Sequence, residues 1–270
     1  MTRTAIVSCR IFEDELTHLM KSEAERNKII LIETDFTKTI ESKFERERIQ
    51  YIKIEKDRMD ETLSAFEENE NIILLTLIEF SMESRPAEVK KAVYTRIQEI
   101  QEKVEGILVF YGLCGNVLGD IEMDLSRPNC PVRILKDDEG NIGDDCICIS
   151  LGSRRRYMQI LKSAAKGEGT FFLTPMQAAY WREIAYASAL TPDPNDDDMI
   201  RMVFEYSDYK NVGKVPTGLK YEDKFDEIVE DFSQRFNLKI IEYEGETSIV
   251  ENSYKKFLTE IKNNTYLNSN

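Results

Sequence analysis

Histidine is nearly absent: His18 stands alone in 270 residues. That excludes a His-rich zinc site and the HExxH pattern, and it leaves little room for a Ser-His-Asp triad. Gly-rich phosphate loops are missing too, with neither a GxGxxG fingerprint nor a Walker sequence anywhere. No CxxC pair and no CxxxCxxC cluster loop occurs. The longest apolar runs, such as Ile72 to Ile78, fall far short of the roughly 20 residues that a bilayer span needs.

Positive charge is in deficit. Lys and Arg number 36 against 50 Asp and Glu, a formal net charge of −14. Such a surface repels nucleic-acid phosphates and anionic lipid, so neither nucleic acid nor membrane is an expected partner. The opening MTRTAIVSCRIFEDEL turns acidic where a signal peptide needs its apolar core, so we expect a soluble, cytoplasmic protein. The cysteines, Cys9, Cys114, Cys130, Cys146 and Cys148, are odd in number. With no export signal, that argues for reduced thiols rather than a disulfide framework.

What is present alternates between two periods. Thr4–Ser8, Lys28–Glu33, Asn71–Phe80 and Gly106–Tyr111 read as short apolar strands. Amphipathic stretches separate them, among them Ala87–Val104 behind Pro86 at a helix start. Strands alternating with helices imply an α/β fold: a mostly parallel Rossmann-like sheet with helices on both faces, plus a C-terminal α/β portion. We expect a core over residues 1–190, a packed C-terminal portion over 191–262 beyond the break TPDPNDDD, and a disordered tail at 263–270. Lys210–Leu219, with Gly213, Pro216 and Gly218, reads as a loop or strand end.

Cys9 and Cys114 each end an expected strand, and Cys146 precedes an apolar stretch leading to a helix start. Ligands of open parallel sheets bind outside the carboxyl ends of the strands, so these thiols can converge although far apart in sequence. Three thiolates in one pocket suit zinc with an open position, or an iron–sulfur cluster with one iron free for substrate. Ordinary burial is the competing explanation, because unpaired Cys is among the most buried residue types. Asn116 is a candidate helix cap or ligand donor, and a helix starting there would lower the Cys114 pKa. Asp144 and Asp145, just before Cys146, are candidates for proton transfer. LGSRRRY suggests an anion site, with Ser153 as cap and Arg154 or Arg155 as the cation. The acids Glu13, Asp14 and Glu15 read as partners of a helix dipole.

The stretches CRIFEDEL, YGLCGN, DDCICISLGSRRRY, TFFLTP and VPTGLKYED resemble domain of unknown function family 1638, found largely in methanogenic archaea and some anaerobic bacteria. The resemblance implies a cysteine at the positions of Cys9, Cys114 and Cys146, with Cys130 and Cys148 outside the pattern. It also implies a histidine before Asp-Cys, where this chain carries Asp144. No reaction comes with it, although an anaerobic setting suits iron–sulfur clusters and the thiolate-zinc chemistry of methyl transfer. One Cys from each of several α/β segments is similar to the cluster site of quinolinate synthase, by architecture alone.

The expectation is thus a metalloprotein with a three-thiolate site open to a small anionic or thiol substrate, in one-carbon or cofactor metabolism. The alternative is a non-catalytic ligand-binding or accessory protein whose cysteines are structural. The residues leave catalysis and simple binding both open, and with them a protein partner.

Overall fold

The apolar runs assemble in an order the chain does not follow. In the computed structural model, which describes residues 2–67, 70–79, 85–163 and 168–268, β1 (Arg3–Cys9) leads through α1 (Glu13–Glu23) to β2 (Lys28–Ile32). Then come α2 (Thr37–Arg46), β3 (Tyr51–Ile54), α3 (Met59–Ala65) and β4 (Ile72–Ile78). After them stand α4 (Pro86–Ile100), β5 (Gly106–Phe110), α5 (Ile121–Leu125) and β6 (Val132–Ile134). The six strands form one sheet in the order β3-β2-β4-β1-β5-β6, every pairing parallel. Every residue of β4 and β5 is buried, which explains their unbroken apolar sequences. The edge strand β3 keeps Ile52 and Lys53 exposed. Phe80, at the end of an expected strand, lies outside the described residues.

This order fixes where a ligand can sit. From β1 the chain steps to β2 and β3 on one side; from β4 it steps to β5 and β6 on the other. With right-handed crossovers the two sets of helices take opposite faces. The connections therefore part above the carboxyl ends of the neighbours β1 and β5, opening a crevice where parallel sheets bind ligands. β2 and β4 part in the same way, over a groove lined by Glu33, Asp35 and Glu79.

A second parallel sheet follows. The chain passes α6 (Cys146–Ser150) and α7 (Arg154–Ser163), then β7 (Gly169–Leu173), α8 (Pro175–Ala179), α9 (Trp181–Ala187) and α10 (Asp197–Tyr206). It closes with β8 (Tyr209–Lys214), α11 (Phe225–Phe236) and β9 (Lys239–Glu242), and the strands lie in the order β7-β8-β9. Strand β8 takes up the first half of the segment expected to be a loop or strand end; its Gly213 makes room for Phe172 on β7, whose ring a Cβ would approach to 2.6 Å. The core here is aromatic, with Phe171 stacked on Phe232 at 5.5 Å and Trp181 edge-on to Phe232 and Phe236. The sheet draws strands from both sides of residue 190.

The last helix, α12 (Ser248–Asn268), returns to the first sheet and adds Val250, Phe257 and Ile261 to its core. Its backbone stays helical through Asn268, where a disordered tail was expected from residue 263. A helix already nucleated and packed extends at little cost per residue. Among the described residues no helix is long and apolar enough to cross a membrane.

A buried ion cluster joins the two sheets. Lys43 on α2 reaches Asp14 at 2.7 Å and Glu13 at 3.5 Å on α1, and Glu222 at 2.8 Å in the segment before α11. The acids Glu13, Asp14 and Glu15 do occupy the first turn of α1, as helix-dipole partners would, but they are buried there. Burial by itself would lower the Lys43 pKa; Asp14, Glu13 and Glu222 hold it raised. Removing one member of a buried pair strands the other charge, so Lys43→Met should cost about 3–5 kcal/mol. Urea denaturation checks this, and an unchanged midpoint would show that the cluster does not hold the sheets.

Candidate functional site

Cys9 is the last residue of β1, and the register pairs Ser8 with Phe110, so Cys9 stands level with Tyr111 beyond β5. After Tyr111 the chain does not enter a helix. Cys114, Gly115 and Asn116 take positive φ values of 45°, 75° and 64° in turn. This left-handed run corrects the expectation of a helix start at Asn116, because no ordered row of helical N–H groups faces Cys114. Left-handed backbone costs a non-glycine residue about 1–2 kcal/mol, so Cys114 and Asn116, on either side of Gly115, are held there by their surroundings.

Those surroundings are residues 143–145. Leu113 N–H donates to Gly143 O at 2.8 Å, and Cys114 N–H to Asp144 O at 3.1 Å. Gly112 permits the approach, since a Cβ there would lie 2.6 Å from Gly143 O and 3.0 Å from Asp145 Cα. The contact delivers Cys146 to the same place. Cys146 begins the short helix α6, which Asp145 caps by accepting from Cys148 N–H at 2.8 Å.

Cys9, Cys114 and Cys146 line one cavity of about 390 Å³. None of the five cysteines forms a disulfide. Cys130 and Cys148 lie outside the cavity, and burial pushes each thiol up to about 12. Among the described residues no three His, Cys, Asp or Glu side chains form, as they stand, a group that could hold a metal ion. The cysteines therefore share a wall without being closed into a coordination shell.

Three further polar groups in the wall escaped the sequence reading. Gln177 donates from Nε2 to Cys146 Sγ at 3.3 Å. Its amide is oriented because Oε1 accepts from Thr174 N–H at 2.9 Å, within a capping box at the start of α8. The pattern Thr174-x-x-Gln177 is the signal that could have found it. Tyr111 is buried, and its hydroxyl has no hydrogen-bond partner of regular geometry among the described residues. Burial first, then the Cys9 and Cys114 sulfurs, raise its pKa well above the ordinary value, so it remains a proton donor. Glu79, just beyond β4, is the third, and Arg10 approaches it at 3.8 Å.

The paired aspartates separate. Asp145 lines the cavity, and Tyr157 O–H donates to its Oδ2 at 2.8 Å. Burial raises the Asp145 pKa and Asp144 adds to the rise, against the hydrogen bonds from Cys148 N–H and Tyr157. Asp144 instead faces Arg154 at 3.0 Å, away from the cavity lining. Arg155 pairs with Glu139 at 3.2 Å, and Arg156 lies 3.6 Å from Glu244. Ser153 does cap α7, accepting from Arg156 N–H at 3.2 Å. Ser153, Arg154, Arg155 and the exposed Asn116 do not line the cavity. His18 lies 3.4 Å from Glu251 on α12.

The close approach at Gly112 is testable. Gly112→Ala forces a methyl against backbone that no rotamer can move, and overpacking of this kind costs about 1–3 kcal/mol. The urea midpoint should fall, and the alkylation rates of Cys114 and Cys146 should change together. A wild-type midpoint with unchanged rates would contradict the contact.

No curated protein matches the chain. Residues 77–254, a stretch that includes Cys114 and Cys146 but not Cys9, match the family described as a protein of unknown function, DUF1638, and the chain belongs to that family.

Proposed function

We propose that the cavity is a thiolate metal site in which Cys9, Cys114 and Cys146 hold zinc or an iron–sulfur cluster and leave one position open to a small substrate. One observation carries this: three cysteines, distant in sequence, line a single cavity at the crevice between β1 and β5. The donor set suits a soft cation. Three thiolates in a cavity whose described lining has no Lys, Arg or His would repel one another, and a bound cation offsets that charge. The bound group would act as a Lewis acid or activate a substrate thiolate.

The protein's own residues supply the rest. Gln177 orients Cys146 by donating to its sulfur. Tyr111 keeps its proton and offers a hydroxyl beside Cys9 and Cys114. Asp145, held by Tyr157, is a candidate to exchange a proton with a ligand, since burial raises its pKa above the ordinary carboxylate value. We attach to this a reducing, cytoplasmic setting in one-carbon or cofactor metabolism, which the family resemblance suggests. A second reading, a ligand-binding or accessory protein with structural cysteines, is supported by the packing of Cys9, Cys114 and Cys146 with the apolar core.

Anaerobic purification with metal analysis and an absorption spectrum separates them. Stoichiometric zinc, or iron with sulfide, should vanish in Cys9→Ala, Cys114→Ala and Cys146→Ala and persist in Cys130→Ala. A wild-type protein that takes up neither metal, even after reconstitution, would leave the second reading.

A further inference from the structure

The arginine run directed attention to anions, but the cavity is built the other way. Among its described lining residues there is no lysine, arginine or histidine, while two carboxyl side chains, Glu79 and Asp145, and three thiols are present. The nearby cations already face carboxylates, and one of them, Arg10, offsets Glu79 from outside the lining. Arg10 lies 3.1 Å from Glu13, 3.8 Å from Glu79 and 3.4 Å from Glu183, and stacks over the Tyr180 ring. Arg154, Arg155 and Arg156 each face a carboxylate outside the lining. An anion entering this cavity would meet carboxyl groups and sulfurs, and none of the described lining residues would offer it a positive side chain.

The rest of the described lining is largely apolar. It includes Phe172 on β7, Tyr209 on β8, Leu161 on α7, Ile184 on α9 and Leu190. Helix α7 is the more telling part. It carries Tyr157, Met158, Ile160 and Leu161, yet none of its residues is buried, and Leu161 remains 44% exposed. Its apolar side lies along the cavity rim without full cover, although Tyr157 and Leu161 face inward. An apolar ligand body would complete that packing.

We infer that the cavity takes an uncharged ligand with an apolar body, its reactive end at the cysteines and its body against Phe172, Tyr209 and Leu161, and that it discriminates against anions. This rests on the cavity being the ligand site and names the ligand class for it; it does not require the metal.

Alkylation of the metal-free protein near neutral pH tests it. The probes are N-benzylmaleimide, its para-carboxylate analogue and N-(2-hydroxyethyl)maleimide. Each rate at Cys114 and Cys146, read by peptide mass spectrometry, is divided by that probe's rate with N-acetylcysteinamide. The uncharged benzyl probe should lead the carboxylate by at least about tenfold, and should also outpace the hydroxyethyl probe. Leu161→Lys, a change at a partly exposed position, places a cation at the rim and should cut the preference over the carboxylate to about threefold or less. Equal rates, a faster carboxylate, or a preference unmoved in Leu161→Lys would overturn the inference. Zinc addition reports separately on the metal: failure to protect the thiols counts against the three-thiolate site, while the charge preference in metal-free protein still decides the ligand class.

Discussion

The candidate site depends on one backbone contact. Residues 112–114 run against residues 143–145, closed by two N–H···O bonds and permitted by the missing side chain of Gly112. Without that approach, Cys146 and Asp145 have no reason to stand near Cys114. The third cysteine needs no such device, because parallel pairing of β1 with β5 sets Cys9 level with Tyr111. Sheet register and a loop crossing thus bring together three residues spread over half the chain. The left-handed conformation of Cys114 and Asn116 is the local cost of that crossing.

Charge is distributed to match. The acids that follow Cys9 turn inward to Lys43 and Arg10, where they tie α1 to α2 and to the second sheet. The arginines that follow Cys146 turn outward to Asp144, Glu139 and Glu244. Both sets of cations are used up beside the cavity rather than in it. What remains at the cysteines is a wall of sulfur, two carboxyl groups and one buried phenol, a surface that suits a soft cation below and an uncharged body above.

Much of this was legible beforehand, for identifiable reasons. The strands of the first sheet announce themselves because burial on both faces demands unbroken apolar runs, as in Ile72–Ile78 and Gly106–Phe110. Strand β8 did not, since Gly213 and the glycines and prolines around it look like loop until Phe172 is seen to need the space. Cys9 and Cys114 were chosen from their places at strand ends and Cys146 from its place before a helix start, and the three line one cavity. Arg154 and Arg155 misled because a run of like charges near a cap looks the same in sequence whether its partners are a ligand or nearby acids. Gln177 and Tyr111 were missed for a different reason: the capping box betrays how Gln177 is held but not that it meets Cys146, and nothing local tells that Tyr111 faces Cys9. The burial of Glu13 and Asp14 likewise requires Lys43, a residue on another helix.

The central claim is that Cys9, Cys114 and Cys146 meet. Phenylarsine oxide tests it directly, because its arsenic is held stably only by two thiols within bridging reach. Titrated into reduced, metal-free protein, it should bind in a 1:1 ratio, and peptide mass spectra should show it bridging two of these three cysteines. Absence of a bridge, or a bridge that involves Cys130 or Cys148, would contradict the convergence on which the account rests.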